Sequence, residues 1–89
     1  MSGFTQRETR HAKRRMQQRA ISKKYIQMAL DWGREKYQTG GTYQYRIGYR
    51  EAHRAKAQGL DVMQCLGLVV ITTANTTIIT TYWSRKKRV

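Results

Sequence analysis

The chain has 89 residues, enough for one domain and one core; 39% of it is hydrophobic, and 18 Lys and Arg against 5 Asp and Glu give a formal charge of +13. So many like charges in one small fold repel one another, and a polyanionic partner relieves that repulsion while gaining affinity from released counterions. No apolar run approaches the roughly 18 residues that span a bilayer, and the basic N-terminal segment leads into no uninterrupted apolar stretch of the signal-peptide kind. The single cysteine, Cys65, excludes an internal disulfide and a Cys-based zinc site; it lies beside the apolar run Leu66–Ile71 and suits burial in a reducing, cytoplasmic setting.

In chain order, residues 1–6 form a polar arm. Thr9 is placed to cap a helix over Arg10–Arg19, where Ala12, Met16 and Ala20 make a narrow apolar side at ~100° per residue. Ser22 caps a second helix over Lys23–Trp32, with Tyr25, Ile26, Ala29 and Leu30 at helical spacing. Gly33 follows, where a helix end favours a residue able to take positive φ. Glu35–Gln38 then reads as a short strand, Thr39–Gly41 as a turn, and Thr42–Tyr49 as a strand with Tyr43, Tyr45, Ile47 and Tyr49 on one side. Arg50–Gln58, ended by Gly59, is either a solvated helix or an ordered loop. Gly67–Thr73 and Thr76–Trp83 are rich in β-branched residues and flank a tight turn at Ala74–Asn75. Residues 84–89 form a basic tail. These elements predict an α+β fold: two N-terminal helices packed on one face of an antiparallel sheet of about four strands, as one domain over 1–89.

The chemistry concentrates in the first helix. His11, Arg15 and Arg19 are spaced by four and form a ridge that approaches the apolar side at Arg19, whereas Arg14 and Gln18 point away. Where a helix meets a sheet, such a ridge can grip a phosphodiester. Arg presents a permanently charged fork to phosphate oxygens, His can move a proton near neutral pH, and RNA carries its own nucleophile in the ribose 2′-hydroxyl. The same residues also fit a plain basic helix edge. In the last strand Thr80 and Tyr82 share one face, and Thr81 and Trp83 the other. With Tyr43 and Tyr45 on a neighbouring strand, hydroxyls could bind phosphate and rings could stack a base, although Thr and Tyr are also simply good strand formers. Lys13, Arg14, Tyr43, Tyr45, Arg46, Arg50 and the tail Arg85, Lys86, Lys87 and Arg88 complete the expected nucleic-acid surface. His53, Arg54 and Lys56 join Arg50 in a further basic cluster that reads as a solvated face. The five carboxylates form no close pair, two histidines make no convincing metal set, and no Gly-rich phosphate loop is present, so neither a metal nor a cofactor is expected.

The segments His11–Ala12…Arg15–Met16…Arg19–Ala20–Ile21–Ser22, Gly41–Thr42–Tyr43–Gln44–Tyr45, Leu66–Ile71 and Thr77–Tyr82 occur in an order that resembles the domain of unknown function 4258 family. That family is similar in layout to RelE-like and barnase–colicin toxin ribonucleases. The resemblance implies a metal-independent endoribonuclease, often a bacterial or phage toxin controlled by an antitoxin or immunity protein. His11, Arg15 and Arg19 match its helix signature as candidate catalytic residues, and Thr80 and Tyr82 match its last-strand signature. Ala20 stands where Gly is common in the family. Three readings follow: a small RNase, a non-catalytic RNA- or DNA-binding module, and an interaction protein that docks an acidic partner.

Overall fold

Thr9 shows how the first helix begins. Its backbone is extended and its Oγ1 accepts from Ala12 N at 3.1 Å, satisfying one of the orphan donors of helix α1, Arg10–Gln18. The same hydroxyl donates to the Ile79 carbonyl at 3.1 Å, so the cap also ties the helix to the last strand. The computed structural model describes residues 7–84; the expected arm 1–6 and the basic tail with Arg85, Lys86, Lys87 and Arg88 lie outside the described residues.

Helix α1 ends through Ile21 N on the Met16 carbonyl (2.8 Å) and Ala20 N on the Gln17 carbonyl (3.4 Å), with Met16 and Ile21 both in the core. This is the Schellman arrangement, which requires a left-handed residue, and Ala20 supplies it at φ 52°. Ser22 then caps α2, Lys23–Trp32, by accepting from Tyr25 N. Gly33 does not take positive φ there; its φ is −71°. Glycine is needed for space instead, because a Cβ would collide with the Ala29 carbonyl and lie 3.1 Å from Arg46 N.

The sheet contains β1 (Arg34–Gln38), β2 (Thr42–Arg46), β3 (Leu68–Thr73) and β4 (Ile78–Trp83), all antiparallel and in that spatial order. β2 stops at Arg46, because the chain must leave the sheet to start α3. That helix, Tyr49–Ala57, resolves the ambiguous basic segment: Glu51, nearly fully buried, accepts from Gly48 N at 2.9 Å, while Ala52 and Ala55 turn inward. Tyr49 is therefore the first residue of a helix and not a strand residue. A 3-10 turn at Met63–Cys65 leads into β3. The last hairpin turn is wider than two residues, with Thr76 at φ 62° and Thr73 N bonded to the Thr77 carbonyl.

The expected α+β architecture is present, with a third helix added. α2 lies on β3 and β2 and is backed by α3 and the 3-10 turn, whereas α1 packs against β4. Arg7–Thr9 run beside Ile78: Ile78 N donates to the Arg7 carbonyl, Thr9 N donates to the Ile78 carbonyl, and Glu8 forms a parallel bridge with Ile78. The outer border of β4 is thereby covered. The core includes Met16, Ile21, Ile26, Ile47, Val62, Leu68, Val70 and Ile78. Ile78 reaches it through a β-bulge. Pairing runs in register from Leu68↔Trp83 to Ile71↔Thr80, then shifts to Thr72↔Ile78, so Ile79 is an extra residue and both Ile78 and Thr81 face the core. Among the described residues no helix is long and apolar enough to cross a membrane.

Candidate nucleic-acid interface and active site

The two flanks of α1 differ. Lys13, Met16 and Gln17, with Glu8, Ile21, Ser22 and Lys23, line a cleft of about 360 Å³ at the junction of α1 and α2. His11, Arg15 and Arg19 occupy the other flank, as four-residue spacing requires. There Arg15 Nε donates to His11 Nε2 at 3.4 Å and Arg15 Nη1 to Gln18 Oε1 at 3.4 Å, both in exposed positions. In this contact His11 Nε2 is the acceptor and the Arg15 guanidinium the donor.

Arg19 is fastened more firmly. Its Nη1 donates to the Thr81 carbonyl at 3.1 Å, and its own carbonyl accepts from Trp83 Nε1 at 3.1 Å. The first of these bonds sets a guanidinium against the peptide that joins Thr81 to Tyr82. Trp83 also stands edge-on to Tyr25 of α2, with ring centroids 6.2 Å apart. Arg19 thus holds α1 to β4 with both backbone and side chain, in addition to carrying charge at that border.

Trp83 and the fully buried Thr81 face the helices, so Thr80 and Tyr82 face away from them, as alternation predicts. Thr81 Oγ1 is committed to the Val69 carbonyl at 2.8 Å. Tyr43 and Tyr45, however, are not beside these hydroxyls. β3 separates β2 from β4, and Tyr45 pairs with Val70, which puts the two tyrosines on the helix-bearing face. Tyr43 packs edge-to-face on Tyr37 at 5.3 Å. The Tyr45 hydroxyl donates to Glu35 Oε2 at 3.0 Å, and its pKa is raised by burial first and by the Glu35 carboxylate second. Neither ring joins the His11–Arg15–Arg19 flank, because strand order, which local alternation does not encode, sets their neighbours.

The outward face of the sheet carries more charge than expected. Arg46 belongs to it, with Nη2 bonded to Ser84 Oγ at 3.2 Å. Arg34 pairs with Arg46, and Lys36 with Gln44, and with Glu35 these residues line a groove of about 340 Å³. Arg34 and Lys36 were not singled out from sequence, although their alternation with Glu35 and Tyr37 was visible. Arg14 and Arg50 are exposed on α1 and α3, and neither is brought to the α1–β4 border by any observed bond. Cys65 is fully buried, and burial pushes its thiol up to about 11 despite Lys24 nearby. A thiol so disposed is inert at neutral pH. Among the described residues no group of three or more His, Cys, Asp or Glu is placed to hold a metal ion.

The family model described as Domain of unknown function (DUF4258) matches residues 9–83. The chain belongs to this family. No curated protein and no solved structure matches it. The DUF4258 span opens on Thr9, the cap that also bonds β4, and closes on Trp83, the last residue of β4. His11, Arg15, Arg19, Thr80 and Tyr82 therefore all fall inside the DUF4258 span, and of these Arg19 is bonded across from α1 to β4.

Proposed function

We propose that this DUF4258 domain binds RNA and cleaves it without a metal, through attack of the ribose 2′-hydroxyl on the adjacent phosphate. The reading is carried by one observation: an imidazole nitrogen accepts from a guanidinium at 3.4 Å, on the α1 flank that Arg19 fastens to β4. An incoming phosphodiester takes the Arg15 fork, and His11 Nε2 then accepts the 2′-hydroxyl proton. The new P–O2′ bond forms as the P–O5′ bond breaks, and the leaving oxygen takes a proton from solvent. Arg15 and Arg19 meet the charge that builds on the phosphoryl oxygens, while Thr80 and Tyr82 orient the strand from the sheet. The products carry 2′,3′-cyclic phosphate and 5′-hydroxyl ends.

The α+β layout and the charge of +13 are in keeping with a RelE-like or barnase–colicin-type toxin ribonuclease, acting in the cytoplasm and restrained by an acidic antitoxin or immunity protein. The test is incubation of purified protein with mixed RNA in EDTA, followed by analysis of fragment ends. Cyclic or 3′-phosphate ends are expected, and His11→Ala or Arg15→Ala should each slow cleavage by about 100-fold or more with the fold intact. Undiminished cleavage by the folded double variant would refute the assignment. A second reading, binding without cleavage, is favoured by the cations Arg34, Lys36 and Arg46 gathered on the outward sheet face. Intact RNA after long incubation, with steeply salt-dependent binding, would select it.

A further inference from the structure

The sheet face turned away from α2 sets like charges side by side. Arg34 and Arg46 are direct partners across the β1–β2 pair, and like charges set opposite each other on one sheet face are destabilising. Lys36 lies in the next outward row, opposite Gln44. Among the described residues lining the groove, Glu35 is the sole carboxylate, and its Oε2 is engaged by the Tyr45 hydroxyl. The outward rows continue across the sheet without a break in register. Arg34, Arg46, Val69 and Tyr82 form one row, and Lys36, Gln44, Ile71 and Thr80 the next. Cations thus stand at the β1–β2 end of each row and a hydroxyl at the β4 end.

From these observations we infer that this outward face is a track for a single-stranded phosphodiester chain: Arg34, Lys36 and Arg46 hold its phosphates, and Tyr82 and Thr80 deliver it to the α1 border. Three interstrand spacings of about 4.8 Å make the track roughly 14 Å wide, a distance that a few nucleotides cover. Arg gives a phosphate a planar fork and Lys a point charge, so the groove suits successive phosphates better than a flat carboxylate surface. A ring at Tyr82 offers a stacking surface for an unpaired base, which favours single strands over a duplex. The inference rests on nucleic-acid binding but not on cleavage.

The experiment measures binding of a 2′-O-methyl RNA oligonucleotide, which cannot supply the nucleophile, by fluorescence anisotropy at several salt concentrations. The combined change Arg34→Ala and Lys36→Ala is compared with Arg54→Ala and Lys56→Ala, which removes the same charge from exposed positions on α3. The sheet-face pair should weaken binding about tenfold or more and flatten the salt slope by roughly 0.7 for each lost contact, while the α3 pair changes affinity less than about twofold. Equal losses from both pairs would show that only net charge matters and would overturn the track, as would no loss from the sheet-face pair. A preference of the parent protein for duplex over single strand would overturn it too. Because the probe is inert to cleavage, inactivity of the enzyme leaves this result readable. Melting temperature serves as the fold control and should stay level or rise, since the Arg34–Arg46 repulsion is relieved.

Discussion

The two borders of the sheet are finished in opposite ways. Along β4 the outer backbone is occupied: Arg7 and Thr9 bond to Ile78, Thr9 Oγ1 to the Ile79 carbonyl, and Arg19 Nη1 to the Thr81 carbonyl. Along β1 Arg34, Glu35, Lys36 and Tyr37 are all exposed. An open strand edge invites pairing with another chain, and charge on the edge is one way a protein discourages it. Covering and charging are thus alternative protections, and each has a chemical consequence. Coverage by α1 ties Arg19 to β4, whereas the charged border leaves the Arg34 and Lys36 side chains exposed to solvent.

This contrast can be broken by substitution, since removing a covering contact should cost stability and removing a charged border residue should not. Trp83→Ala deletes the ring that packs on Tyr25 and the donor to the Arg19 carbonyl, and should lower unfolding free energy by about 3 kcal/mol in urea titration. Thr9→Ala loses both the α1 cap and the bond to the bulged Ile79, for about 1–2 kcal/mol by the same measurement. Ala20→Gly should move the other way, gaining about 1 kcal/mol, because φ 52° strains an alanine and suits a glycine. Lys36→Ala on the open border should change stability by no more than about 0.5 kcal/mol. A large loss from Lys36→Ala, or none from Trp83→Ala, would dissolve the distinction between the two borders.

Much of this molecule was legible in one dimension. The caps Thr9 and Ser22, the apolar spacing of α2 and the β-branched runs of β3 and β4 are local signals, and each acts over one or two turns of chain or one strand. Arg50–Gln58 was ambiguous because its inward face is only Glu51, Ala52 and Ala55, too small an apolar signal to separate a helix from a loop. The site was half legible. Four-residue spacing places His11, Arg15 and Arg19 on one flank, but nothing in that spacing says that Arg19 will be fastened to β4.

By itself, then, the sequence determined the first two helices, the approximate strands, the basic character and the alternation that puts Thr80 and Tyr82 together, since all of these follow from short-range periodicity and composition. Only the tertiary structure decided that β3 lies between the tyrosines of β2 and the hydroxyls of β4, and that a bulge at Ile79 turns both Ile78 and Thr81 inward. It also decided that Arg34 faces Arg46 across a shared groove. The physical reason is the same in each case. Strand order and register are chosen by which faces can be buried together, a property of residues far apart along the chain and so invisible to any local pattern.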